Sequence, residues 1–197
     1  MVRLAIVIVS YNAREDLARC LASLAEHPSS TSHEIVVVDN ASSDGSAGMV
    51  RLQRPDARVI EAGANLGFSR ANNLGIRATS SELVLLLNGD TIVEPGALDA
   101  LVGVLDARRD ITAVGPRLVD GAGRAELSFG RMMTPLSELR QKLLVRGSDR
   151  AVAIAAYVDR LTRREQQVDW VSGACLLVRR REAEAAGLLD ERYFMYT

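Results

Sequence analysis

Leu83-Val84-Leu85-Leu86-Leu87-Asn88-Gly89-Asp90-Thr91 is the stretch whose reading decides the fold. Its five successive apolar residues are long enough for a strand and short for a helix. An apolar run without polar alternation fits a strand buried on both faces, as in a parallel sheet covered by helices. The run stops at Asn-Gly-Asp, three residues suited to a tight turn. In open α/β sheets, ligands collect just outside the carboxyl ends of the strands. Asp90 is therefore expected at such an end, with Gly89 leaving room for a ligand to approach the backbone. A carboxylate there, beside the side-chain oxygen of Asn88, is a seat for a hard cation carrying a diphosphate. The same three residues can also do no more than turn the chain.

The remaining sequence narrows that choice. A chain of 197 residues provides one domain, or one domain and a fragment, with ample length for a single core. Hydrophobic residues make up 48% and charged residues 25%, an ordinary globular balance. The 24 basic and 25 acidic residues nearly cancel, which argues against a general nucleic-acid-binding surface. No apolar run approaches the roughly 20 residues that cross a bilayer. Met1-Val2-Arg3 leads straight into a strand-like segment with no signal-peptide pattern. Cys20 and Cys175 sit in apolar surroundings and read as core residues of a reducing compartment. His27 and His33 lack the spacing of a zinc site. The expected location is cytoplasmic, free or at the inner face of the membrane.

Leu4 to Val9 is a β-branched run and predicts the first strand. Asn12, with Glu15 three residues on, reads as a helix N-cap, and Leu17, Leu21 and Leu24 then repeat at helical spacing. Glu34 to Val38 is a second buried strand that stops at Asp39. Ser42 or Ser43 is expected to cap the next helix, which Pro55 closes. Arg58 to Ala62 predicts a third strand, and residues 69–78 a helix behind a glycine-bearing loop. Pro95 is expected to open a helix carrying Leu98, Leu101, Val102 and Leu105 on one side. Ile111 to Val114 reads as a strand and Arg117 to Phe129 as a short β excursion. Residues 135–145 and 149–163 can be helical, and Val168 to Val178 is a strand broken at Ser172-Gly173. Arg179 to Ala186 forms a short helix ending at Gly187. Alternation at this spacing means right-handed crossovers, hence an α/β fold with a mainly parallel sheet and helices on both faces.

Three predicted strands thus end in polar signatures: Ser10-Tyr11-Asn12, Asp39-Asn40 and Asn88-Gly89-Asp90. A core needs none of them. Tyr11 offers a ring on which a base can stack, or simply packs. Asp39 can accept a hydrogen bond from a ring N–H, or close its own loop as an Asx-turn. Asp90 can hold Mg²⁺ or Mn²⁺ against a diphosphate.

With these stretches the sequence resembles the nucleotide-sugar-dependent glycosyltransferases of family 2, and most strongly their rhamnosyltransferase-like branch. The resemblance rests on Ile6 to Asn12, Val36 to Gly45, Asn65 to Asn73, Leu85 to Thr91, Asp169 to Cys175 and Gly187 to Tyr196. It implies a GT-A (Rossmann-like) fold and a nucleotide-diphosphate-sugar donor with a hydroxyl acceptor. Ser10, Tyr11 and Asp39 would hold the base and ribose, joined by Asn12, Asn65, Gly67, Arg70 and Asn88 in nucleotide binding. Asp90 would stand in the DXD-type metal motif. Trp170 would border the acceptor sugar, or pack in the core, while Gly173 and Ala174 let the backbone come close to the donor. Residues 1–115 would form the donor-binding subdomain and 116–197 the start of an acceptor-binding one.

Two departures bear on mechanism. The branch often reads Asn-Pro-Asp where this chain has Asn88-Gly89-Asp90. Its inverting base is usually the second acid of a Glu-Asp pair shortly after the Phe-Met-Tyr segment, and this sequence reaches Thr197 without one. Asp169 and Glu191 are the nearest acids that could substitute. The expected activity is inverting transfer of a sugar from a UDP- or dTDP-sugar to a hydroxyl. The alternative is a nucleotide-sugar-binding module with little turnover. A dinucleotide-dependent oxidoreductase is disfavoured, because Tyr11-Asn12-Ala13-Arg14 carries no Gly-x-Gly-x-x-Gly turn.

Overall fold

Strand-forming runs of Val, Ile and Leu occur between amphipathic segments, and in the structure each becomes a strand covered by the helices beside it. A computed structural model describes residues 2–130 and 152–194. In order, the first elements are β1 (Leu4–Ser10), α1 (Arg14–Glu26), β2 (His33–Asp39), α2 (Ser46–Gln53) and β3 (Arg58–Glu61). Then come α3 (Gly67–Arg77), β4 (Leu83–Asn88), α4 (Ala97–Ala107), β5 (Ala113–Val114) and β6 (Phe129–Gly130). The last are α5 (Val152–Thr162), β7 (Trp170–Val171), β8 (Cys175–Arg179) and α6 (Arg180–Ala185).

The main sheet has the order β3-β2-β1-β4-β8-β5. β1 to β4 are mutually parallel, and β8 runs antiparallel to both β4 and β5. The chain first winds outward through β1, β2 and β3 and then crosses back to place β4 on the other side of β1. The strand order therefore reverses between β1 and β4, the position at which open α/β sheets bind ligands.

Side-chain alternation sends neighbouring residues of one strand to opposite faces. Val7 and Val38 lie under Gly75 of α3, whereas Ile8 and Leu17 of α1 both lie near Gly89. Leu83 to Leu87 are all buried, as are Leu17, Leu21 and Leu24. The uninterrupted apolar runs are strands sealed on both sides, as expected.

The chain forms two compact units, Met1–Val114 with Gly173–Thr197, and Gly115–Ser172. Pairing of β8 with β4 draws residues from Gly173 onward into the first unit, so the units differ from the 1–115 and 116–197 division at the C-terminal end. The change of unit falls at Ser172-Gly173, where the sequence breaks the strand. The second unit holds the β6–β7 pair, α5 and a turn at Asp120 closed by a Val119–Ala125 bridge. The helix expected over 135–145 lies outside the described residues.

The helix starts differ from expectation. α1 begins at Arg14 with no side-chain cap, and α2 begins behind Gly45 in the left-handed region (φ 82°). Asn12, Ser42 and Ser43 spend their hydrogen bonds on one another instead. Pro95 sits in the turn before α4, whose N-cap is Gly96 (φ 74°), because a left-handed cap suits glycine. β5 is a two-residue strand joined to β8.

No helix among the described residues is long and apolar enough to cross a membrane.

Candidate functional site

The parallel register brings the three polar strand ends to one edge. Ser10 pairs with Asp39 across β1 and β2, and Val9 with Asn88 across β1 and β4. Ser10 and Asp39 are 2% and 4% exposed, so both are fixed in the core wall at that edge. Asp39 Oδ2 accepts the Ser42 amide at 3.2 Å, three residues on, so it ties its own loop, although not through the i+2 bond of an Asx-turn. Its Oδ1 has no partner, and neither has Ser10 Oγ. A buried polar atom without a partner is rare because it forfeits its hydration. The pair forms an unsatisfied acceptor and hydroxyl at the edge where the topology expects a ligand. Tyr11, the next residue, is 50% exposed and free to offer its ring.

Two turns in the left-handed region, Asn12 (φ 50°) and Ala41 (φ 67°), lead away from these strand ends. Asn12 does not cap α1. Its amide donates to Ser42 Oγ at 3.0 Å and its Oδ1 accepts the Ser43 amide at 2.8 Å. Asp44 takes the Arg14 amide at 2.9 Å. Its carboxyl is held below the ordinary range, chiefly by the Ser46 hydroxyl and also by that amide. These bonds lace the β1–α1 and β2–α2 loops into one rim.

Asn40, marked in the sequence only as part of a strand-end signature and given no role there, organises the neighbouring loop. Buried at 3% exposure, it donates to Asn65 Oδ1 at 2.8 Å and accepts the Leu66 amide at 2.8 Å. Asn65 Oδ1 also accepts the Gly67 amide at 3.0 Å. Asn65 is thereby committed to the loop's shape. The available signal was its position directly after Asp39 at a strand end. Gly67 has φ 77°, and a Cβ there would run into the Phe194 carbonyl, so a side chain is excluded on both counts. Ser69, in the first turn of α3, buries a second partnerless hydroxyl. Arg70 is exposed, its Nε 3.6 Å from Glu191 Oε2.

At the end of β4 the Asn88 amide donates to the Ala174 carbonyl at 2.9 Å, and the Asn88 carbonyl accepts the Thr91 amide at 3.1 Å. The turn is thus anchored from β8. Gly173 lies against Phe68, where a Cβ would be 3.1 Å from Cζ. At Gly89 a Cβ would meet nothing nearer than 3.6 Å, so the position has room for a Cβ. Asp90 is exposed and has no ion-pair partner among the described residues. Cys20 Sγ lies 3.8 Å from the Asn88 carbonyl. Burial, followed by the charges of Asp90 and Cys175, pushes its thiol up to about 12. Burial alone does the same to Cys175. Neither cysteine is a ready nucleophile or thiolate ligand.

No group of three or more His, Cys, Asp or Glu side chains able to hold a metal occurs among the described residues. One exposed, unpaired carboxylate beside an asparagine fits Mg²⁺ or Mn²⁺, which keep waters and take further oxygens from substrate phosphates. It does not fit a metal held by protein ligands alone.

Asp169 and Trp170 belong to the second unit. The Asp169 amide donates to the Gly130 carbonyl at 2.9 Å, and the Trp170 indole covers Gly130, where a Cβ would be 2.7 Å from Nε1. Glu191 belongs to the first unit and is heavily engaged. Its Oε1 accepts from Asn73 at 3.0 Å and Arg77 at 2.8 Å. Those bonds, Asn73 first, hold its carboxyl below the ordinary glutamate range.

Comparison with known proteins agrees with this architecture. The chain is 33% identical, over 98% of its length, to an N-acetylglucosaminyl-diphospho-decaprenol L-rhamnosyltransferase of Mycobacterium tuberculosis. It is 27% identical over 98% of its length to the low-salt glycan biosynthesis hexosyltransferase Agl10 of Haloferax volcanii. It spans 66% of the first relative's length and 58% of the second's. Among solved structures, S. aureus TarS in complex with UDP superposes with a TM-score of 0.67 at 17% identity, covering 98% of this chain and 51% of that one. The mannosyltransferase PcManGT of Pyrobaculum calidifontis, in complex with GDP-Man and Mn²⁺, gives 0.63 at 20% identity, covering 96% and 48%. These likenesses establish the GT-A fold. The profile of Glycosyl transferase family 2 matches residues 5–168, and the chain belongs to that family.

Proposed function

We propose that this chain takes part in inverting transfer of a sugar from a UDP- or dTDP-sugar to a hydroxyl acceptor. The observation that carries the reading is the partnerless Asp39 Oδ1 beside Ser10 Oγ at the β1/β4 switch edge. An ionised carboxylate only accepts hydrogen bonds, so its complement is a ring N–H. Uracil and thymine carry that proton at N3, whereas neutral cytosine presents a bare acceptor. Tyr11 supplies the stacking face. Asp90 and Asn88 would hold Mg²⁺ or Mn²⁺, which supplies charge neutralisation at a departing diphosphate. The mycobacterial relative, named as an L-rhamnosyltransferase, favours a deoxyhexosyl donor and a lipid-linked glycan acceptor. An acceptor of that kind would bring the chain to a membrane surface.

The acceptor hydroxyl needs a general base. Glu191, held ionised by Asn73 and Arg77, is a poor one, because base strength falls with pKa. Asp169 is the remaining candidate of the two.

Titration calorimetry with UDP, dTDP and CDP in Mn²⁺ tests the reading. UDP and dTDP should bind more tightly than CDP by about 1–3 kcal/mol, the cost of an unpaired buried polar group. Equal affinity for CDP would remove Asp39 as the base reader.

A further inference from the structure

The residues after α6 return beside α3, from its last turn to its first. Gly187 (φ 93°) and Leu188 (φ 65°) turn the chain. Leu188 and Leu189 then pack on the cluster of Val7, Ile76, Val84 and Leu86. Asn73, with no exposed surface, grips the Leu189 backbone from both sides. Its Oδ1 accepts the Leu189 amide at 3.1 Å, and its Nδ2 donates to the Leu189 carbonyl at 2.8 Å and to Glu191 at 3.0 Å. Glu191 also holds Arg77 at 2.8 Å. At the far end the Phe68 amide donates to the Phe194 carbonyl at 2.7 Å, with Gly67 flush against Phe194. From there the bonds run on through Gly67 and Asn65 to Asn40, the residue after Asp39.

We propose that Asn73 is a positioning residue for the donor site, holding residues 188–194 as a strap whose Phe194 end sets the Asn65–Gly67 loop. The proposal rests on the nucleotide-binding reading above. A buried asparagine making three bonds to the strap serves no purpose in the packing of α3 itself, where an apolar residue would do. Nucleotide binding and strap docking are then linked, and each stabilises the other.

The experiment follows UDP affinity by calorimetry in Mn²⁺ together with amide hydrogen exchange at Phe68 and Leu189. In the parent protein, UDP should slow exchange at both amides. Asn73→Asp loses the donor to Leu189 and sets a carboxylate against Glu191. It should speed exchange at both amides and weaken UDP by about tenfold, within the usual range of coupling between sites. Adding Glu191→Gln supplies an amide donor and removes the repulsion, so the double variant should recover UDP affinity to within about threefold. Faster strap exchange with unchanged UDP affinity would overturn the proposal, as would UDP protection confined to residues 65–67. Should Asn73→Asp fail to fold, the parent's exchange pattern decides alone. A parent chain that binds no UDP would overturn the donor reading and this inference with it, whereas unchanged variants of a binding parent overturn only this one.

Discussion

Ser10 and Asp39 stand side by side as register partners at the ends of β1 and β2, and each buries one oxygen that nothing in the described chain satisfies. A sealed core does not leave two such atoms together, since each forfeits about 1–3 kcal/mol of hydration. A ligand that donates to Asp39 and bonds Ser10 removes both penalties at once.

Asp39→Asn tests this pairing. A neutral amide can turn either its oxygen or its NH₂ toward the base, so it accepts from uracil N3–H and donates to cytosine N3 alike. The preference for UDP over CDP should fall from about 1–3 kcal/mol to near nothing. Competition calorimetry reads the difference directly, and an undiminished preference would place the base elsewhere.

Asp90 makes a separate prediction because its proposed work is on the diphosphate and not on the base. In EDTA, or in Asp90→Ala with Mn²⁺ present, UDP should weaken by at least about tenfold, the scale of one lost charge-assisted contact. Uridine, which lacks phosphates, should bind equally in all conditions. If UDP is indifferent to EDTA and to the mutation, the cation is not part of donor binding.

The placement of Asp39 and Asp90 at strand ends was legible in the sequence because each closely follows an apolar run. Strands β1, β2 and β4 and helices α1 and α4 were legible for a related reason: their burial is local and periodic. The antiparallel β8 was not, since pairing direction depends on where a distant segment returns. Helix starts misled for another reason. Asn12, Ser42 and Ser43 have the chemistry of caps, but the loops they occupy lie side by side, and cross-loop bonds outcompete capping. The roles of Asn40 and Asn73 were hidden because their partners lie far along the chain, 116 residues away for Asn73 and Leu189. The trace they leave is a polar residue where an apolar one was due.

Gly75 shows how closely α3 lies on the sheet. A Cβ there would run into the Val7 side chain and stand 3.1 Å from Val38 Cγ2. Gly75→Ala gains up to about 1 kcal/mol of helix propensity. Overpacking a rigid strand costs about 1–3 kcal/mol and should win. Thermal unfolding should show a lower Tm, with Gly48→Ala, where a Cβ meets nothing, as the control that does not fall.

Both thiols should be silent in the folded protein. Burial pushes Cys20 and Cys175 up to about 12, so almost no thiolate exists at pH 8. A disulfide-exchange reagent such as DTNB should label neither cysteine natively and both in guanidinium. Folded-state values above the unfolded one mean stability that is whole below about pH 8.5 and is lost as pH rises toward 12. Rapid native labelling of Cys20 would show that the turn at Asn88 opens.

The strap should be acid-labile. Glu191 is held below the ordinary glutamate range by Asn73 and then Arg77, with Arg70 adding a weaker attraction. A carboxyl whose folded value is lowered stabilises the fold fully above its unfolded value near pH 4.3, and that contribution is lost as pH falls through the folded value. Its neighbour Asp190, bound to Arg192, is held at about 2 and so stays ionised through most of this window. Exchange at the Leu189 amide should therefore be slow and flat from pH 7 to about 5, after correction for the intrinsic rate, and should accelerate below about 4. Glu191→Gln should show no such acid limb and should be less protected at pH 7. Because Glu191 is partly exposed, added salt should weaken protection in the parent and not in the variant. An acid limb that survives in Glu191→Gln would assign it to another carboxylate and leave the Asn73 bonds alone to hold the strap.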